Sequence, residues 1–143
     1  MERPRPEEAA RERLEALAVR PTGQRVSVLA ELASEQDDVT AQQLHARLVS
    51  RGHRIGLATV YRTLGLLAQE GAIDAISHHP GELCYRLCSD AHHHHLVCSE
   101  CHRVVELTGC DLGEPLAELA GAHGFVATSH RLELTGVCAN CRA

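Results

Sequence analysis

Residues 56–87 read GLATVYRTLGLLAQEGAIDAISHHPGELCYRL, and the period of their apolar positions changes in the middle. Up to Gly71 the spacing is helical: behind Gly56, Val60, Leu64 and Leu67 recur at i, i+4 and i+7. Beyond Gly71 it alternates. Ile73-Asp74-Ala75-Ile76 and Leu83-Cys84-Tyr85-Arg86-Leu87 flank His79-Pro80-Gly81-Glu82, and Pro followed by Gly at the centre predicts a type II turn. A helix running into a hairpin of this kind reads as a recognition helix followed by a wing. Thr59, Tyr61, Arg62 and Thr63 stand among the apolar anchors near the helix N-terminus, where such helices meet base edges. A tyrosine ring suits thymine methyls, and an arginine reaches phosphate or guanine.

Upstream, three further helices are legible. Glu7 to Val19 spaces Leu14, Leu17 and Ala18 helically until Arg20-Pro21-Thr22-Gly23 interrupts. Thr22 or Gly23 then opens a second helix with Val26, Leu29, Ala30 and Leu32 inside. Thr40 is a good N-cap for a third carrying Leu44 and Leu48, which Gly52 ends. Four short helices with tight connections form a helix-turn-helix candidate. Downstream, Leu96-Val97, Val104 to Leu107 and Phe125 to Val137 predict strands, and Asp111 to Ala122 predicts one amphipathic helix. The expected class is α+β: a winged helix-turn-helix domain over 1–84, a hinge over 85–91, and a small α/β domain over 92–143.

Charge is distributed unevenly. Residues 1–72 carry ten Arg and ten acidic groups, whereas residues 73–143 carry four Arg against nine acids, which accounts for the net charge of −5. Val39 to Gln69 lacks acids altogether while holding Arg47, Arg51, Arg54 and Arg62, so a local cationic surface is expected on an acidic chain. Met1 to Ala10 is charged and Pro-rich, unlike a secretory signal, and no apolar run approaches the roughly 18 residues that suggest a membrane span. A cytoplasmic protein without a membrane partner is expected. In that reducing setting its seven cysteines point to metal rather than to disulfides.

Cys98-Ser99-Glu100-Cys101 and Cys138-Ala139-Asn140-Cys141 are two C-x-x-C knuckles separated by 36 residues. Together they predict a closed, structural Cys₄ zinc site. Between them and the wing lies His92-His93-His94-His95. On an extended segment alternate side chains point to opposite faces, so His92 and His94 seed one site and His93 and His95 another. A two-residue turn at Pro80-Gly81 sets position 74 opposite 87, which leaves Asp74 beside Cys88. Asp74, Cys88, His93 and His95 then offer one O, one S and two N donors, a set suited to zinc because a thiolate favours softer ions. For His92 and His94 the best partner is His130. His78 and His79 are expected near the exposed wing tip, and Cys84 and Cys110 read as small buried hydrophobes. The donor sets predict two to three Zn²⁺ per chain.

Taken in order, Thr22-Gly-Gln-Arg25, Gly56-Leu-Ala-Thr-Val-Tyr-Arg-Thr-Leu64, His92-His-His-His-Leu-Val-Cys98, Cys101 and Cys138-Ala-Asn-Cys141 resemble the ferric uptake regulator (Fur) superfamily over about residues 20–141. Cys88 with Asp74 looks most like its zinc uptake regulator (Zur) branch. The resemblance implies a homodimeric repressor whose second domain dimerises. It would bind AT-rich palindromic operators in double-stranded DNA when zinc-loaded and release zinc-uptake genes when starved. It also implies DNA-contacting roles for Arg25, Thr59, Tyr61 and Arg62. Two positions depart from the family pattern. Iron- and peroxide-sensing relatives place a His ligand just before the third helix, where this chain has Asp38. Relatives also place a Glu ligand where this chain has Gly113, so either Glu114 or Asp111 joins His92, His94 and His130 in its stead, or that second site is incomplete. The alternative within the family is a sensor of Fe, Ni, Mn or peroxide. Outside it, a zinc hydrolase is disfavoured by the lack of an H-E-x-x-H motif and by 2% aromatic content, and a zinc buffer would leave the arginine window idle.

Overall fold

The computed structural model describes residues 3–87 and 92–143, which fall into two compact units, 1–90 and 91–143. In the first unit the elements run α1 (Pro6–Ala16), α2 (Gly23–Ala33), β1 (Val39–Thr40), α3 (Ala41–Ser50), α4 (Leu57–Gln69), β2 (Ile73–His79) and β3 (Glu82–Leu87). Thr22 caps α2 by accepting the Arg25 N–H. Thr40 caps α3 in a capping box with Gln43, which satisfies two backbone donors at once. The helices pack around Leu14, Leu29, Leu32, Leu44, Leu48, Val60, Leu64 and Leu67, all fully buried. At about 1.5–3 kcal/mol for each large side chain withdrawn from water, these eight positions hold the unit together.

The wing is a three-stranded antiparallel sheet in the order β1-β3-β2. Its turn is as expected at the tip, where His79 lies opposite Glu82 and Gly81 takes a φ of 80°. Further along, the register differs from the expected one: Asp74 faces Arg86, not Leu87. The cause is an irregularity between Ile76 and His79 that sets Ser77 and His78 against the single residue Leu83. Strand β3 also continues to Leu87, so Tyr85, Arg86 and Leu87 are wing rather than hinge. Cys88 lies outside the described residues.

The second unit contains β4 (His94–Cys98), β5 (Val104–Leu107), α5 (Gly113–Ala122), β6 (Glu133–Gly136) and the short α6 (Ala139–Arg142). Its sheet order is β5-β4-β6, with β4 and β5 antiparallel and β4 and β6 parallel. The strand expected from Phe125 is confined to Glu133–Gly136, and Phe125 is 71% exposed. Helix α5 starts two residues later than expected, which leaves Cys110 in the preceding loop. Among the described residues of this unit Val97 and Cys98 are the buried apolar ones, whereas Leu96, Leu119, Phe125, Val126 and Leu134 stand exposed. No helix among the described residues is long and apolar enough to cross a membrane.

Candidate metal centres and the exposed helix

The parallel pairing of β4 and β6 builds the four-cysteine site. Cys98 lies opposite Gly136, so the chain emerging from β6 delivers Cys138 beside it, and the Cys138 N–H points at Cys98 Sγ at 3.4 Å. Each knuckle is then closed by local backbone. His102 sits at φ 63° with its N–H on the Cys98 carbonyl at 3.0 Å, and the Cys141 N–H reaches the Cys138 carbonyl at 3.0 Å. The donor atoms of Cys98, Cys101, Cys138 and Cys141 all lie within 4.8 Å of one another. Cys101 Sγ and Cys138 Sγ are 3.8 Å apart, which matches the edge of about 3.8 Å for a tetrahedron with Zn–S bonds of about 2.3 Å. Electrostatics agrees with the geometry. Backbone N–H groups of Cys101 and Cys138 pull the Cys98 thiol down to about 6, while hydrogen bonds within the cluster, that with Cys138 foremost, push Cys141 up to about 12. Four thiolates at this spacing therefore require a cation to coexist.

The second centre uses the other end of β4. His94 opens the strand and is buried, and His92 precedes it by two residues. The Leu132 carbonyl accepts the His95 N–H at 3.3 Å, which brings the segment before β6, and with it His130, alongside. From the opposite side, β5 ends with Leu107 paired to His94, and the chain turns back at Gly109, whose φ of 72° suits glycine, to deliver Cys110. His94 Nε2, Cys110 Sγ and His130 Nε2 form a triangle with 3.2 Å sides, and His92 Nε2 stands 3.1 Å from His130 Nε2. A tetrahedral zinc with Zn–N bonds of about 2.0–2.1 Å separates nitrogen donors by about 3.3 Å, close to these values. The side chain that joins the three histidines is that of Cys110, whereas Glu114 lies in the first turn of α5 and is not among the grouped donor atoms. Burial first, then the neighbouring histidines His92 and His130, hold His94 below the ordinary histidine range, so its ring is neutral and able to donate a lone pair.

The described residues expected at the hinge belong to both units. Asp74 lies in β2 of the first unit, half-buried opposite Arg86. In the second unit His93 and His95 share the face of the strand opposite His92 and His94, their ring centroids 4.9 Å apart in an edge-on arrangement.

On α4, Val60, Thr63, Leu64 and Leu67 form the buried face, so Thr63 belongs to the core and is no base reader. Tyr61 is 45% exposed and Arg62 is exposed, with its guanidinium donating to Thr59 Oγ1 at 3.3 Å. Arg25 is half-buried, and its Nη1 donates to the Arg20 carbonyl at 3.0 Å. The cationic window is weaker than its composition suggests. Glu35 pairs with Arg47 at 3.3 Å and Glu31 with Arg51 at 3.2 Å, both acids coming from outside the window, which leaves Arg54 and Arg62 as its exposed charges without an ion pair among those described. Nor is His78 at an exposed tip: its side chain is buried against the carboxylate of Asp38.

Comparison with known proteins accords with both units. The model of the ferric uptake regulator family matches residues 16–135. The zinc uptake regulation protein of Mycobacterium tuberculosis is 42% identical over 130 residues, covering 91% of this chain and all of that protein. Among solved structures, the ferric uptake regulator of Vibrio cholerae is 30% identical with a TM-score of 0.58, covering 90% of this chain and 98% of that one. A zinc uptake regulator complexed with zinc and DNA shares the fold at a TM-score of 0.74 and 24% identity, over 95% of this chain and 92% of that one. With the family pattern running from the end of α1 into β6, through the helix-turn-helix and the first cysteine knuckle, this chain belongs to the ferric uptake regulator family.

Proposed function

We propose that this chain is a zinc-responsive, DNA-binding transcriptional repressor that controls zinc-uptake genes, with zinc as corepressor. It acts in the cytoplasm as a homodimer and catalyses no reaction. The observation that carries the metal assignment is the sulfur of Cys110 among His92, His94 and His130. An S/N₃ set favours zinc, whereas an all-N/O set would admit iron or manganese more readily. The 42% identity to a zinc uptake regulation protein supports the same reading. The Cys₄ centre is structural, since four sulfur ligands leave no open position for chemistry or exchange. A second copy covers the exposed Leu96, Leu119, Phe125, Val126 and Leu134 of the small sheet unit.

The regulatory step is a closure. Asp74, Cys88, His93 and His95 supply one O, one S and two N donors from the two ends of the hinge, and an ion shared among them ties wing to dimerisation unit. That fixes the two α4 helices of a dimer at a separation matching successive major grooves, about 34–36 Å. Zinc drives this only through its preference for the closed state: moving a 1:99 equilibrium to 99:1 requires about 5.5 kcal/mol of differential binding. Tyr61, Thr59 and Arg62 then read the duplex, and Arg25 contacts its backbone.

Selection of duplexes from a random library, followed by gel shifts with Zn, Fe, Mn and Ni, tests the reading. Zinc is expected to enrich an AT-rich palindrome, and equal enrichment by manganese or iron would overturn the metal assignment. A Cys88→Ser variant that binds that palindrome in full response to zinc would overturn the hinge ligands.

A further inference from the structure

One cluster of donor atoms belongs neither to these metal centres nor to the exposed face of α4. Asp38 ends the connection from α2 and leads into β1, which lies along β3 with Thr40 opposite Cys84. Cys84 is 6% exposed in the middle strand of the wing. His78 comes from β2, at the irregularity where two residues face one. His78 follows the buried Ile76 by two residues and shares its inward face, between exposed neighbours Ser77 and His79; its side chain is 3% exposed and its Nε2 meets Asp38 Oδ2. One oxygen, one nitrogen and one sulfur, from Asp38, His78 and Cys84, thus lie within 4.8 Å of one another.

We propose that Asp38, His78 and Cys84 form a further zinc site, contained entirely within the winged-helix unit, with Glu82 as the fourth donor. Glu82 Oε1 is already 3.8 Å from Cys84 Sγ. An ion pair alone explains Asp38 against His78, but it leaves a thiol between two carboxylates, where a thiolate is repelled unless a cation sits among them. Zinc accepts mixed O/N/S sets in tetrahedral geometry and takes the thiol in its deprotonated form. Side-chain alternation keeps His78 on the face of Ile76, which is also the face of Cys84, the cross-strand partner of Ile76. Such an ion would pin the wing to the α2–α3 connection and so set its angle beside α4.

The test uses the full chain in chelator-buffered zinc and reads metal content, so it is independent of operator binding and of the regulatory reading. His78→Gln and Asp38→Asn are each expected to bind one zinc fewer per chain than the unaltered protein. Both should also lose the zinc-dependent hydrogen-exchange protection of residues 76–84, with the Cys98 cluster still loaded. Cys84→Ser should reproduce this, but the residue is buried, so the two polar variants decide the matter. Equal zinc content and equal wing protection in the variants and the unaltered chain would overturn the proposal and leave the trio a buried ion pair beside a thiol.

Discussion

At the scale of single residues, the sulfur of Cys110, which lies among the nitrogens of His92, His94 and His130, is the group proposed to set the ion preference of the second centre. Replacing it in Cys110→Ser should leave the Cys₄ zinc in place while weakening the second zinc on the order of 100-fold or more, since even outer partners of ligands are worth 10–100-fold. Competition titration against manganese reads the change, and an unaltered preference for zinc would exclude Cys110 as a ligand. Protons act on the same residues. His94 has its pKa lowered on folding, so below the ordinary value of 6.5 the unfolded chain binds more protons than the folded one. Cys98 and Cys138 are also lowered, which gives the same sign between their ordinary value of 9.0 and their depressed values. Stability of the metal-stripped chain is therefore expected to rise with pH between about 5.5 and 7.5, and thermal melts in chelator at the two ends should show it. The histidine donors were legible in the primary structure because alternation alone sorts His92 and His94 from their neighbours. Cys110 was not: counting from Cys101 points to the first turn of α5, and only the left-handed bend at Gly109 reveals that the loop before it reaches the histidines.

Elements show where periodicity suffices and where it does not. The i, i+4, i+7 spacing of Val60, Leu64 and Leu67 identified the inner face of α4, and those side chains are fully buried. Leu64→Ala should cost about 2–5 kcal/mol of stability through lost transfer energy and the cavity left behind. Tyr61→Ala on the exposed face should leave the melting temperature nearly unchanged and cut duplex binding; circular dichroism and anisotropy separate the two effects. Alternation found the wing equally well, yet its register beyond the tip slipped by one. A bulge adds a residue without disturbing composition, so nothing in Ile76-Ser77-His78-His79 announces it. The apolar run from Phe125 misled for a different reason. Phe125 and Val126 stand exposed in the single chain, and burial by a second copy, as proposed above, would leave the same sequence pattern as burial in a strand.

For the whole molecule, charge separates the two units, and it must be counted after pairing. Arg51 is held by Glu31, whose side chain is nearly buried, so Arg51→Ala should destabilise the winged-helix unit by stranding a buried carboxylate while leaving the salt dependence of DNA binding nearly intact. Arg62→Ala should do the reverse, lowering affinity and reducing the slope of log K against log[salt] by about 1. Composition alone assigned both arginines to the same cationic surface, because Glu31 and Glu35 lie outside the window in sequence and reach it only through the packing of α2 on α3. Zinc beyond the Cys₄ centre is proposed to fix the dimer in the form a double helix accepts. Anisotropy of the selected palindrome should be measured at fixed salt with the chain carrying only its Cys₄ zinc and again with zinc in saturation. A competent state rising from 1% to 99% gives an affinity gain of about 100-fold on zinc saturation; equal affinity in the two forms would contradict the account.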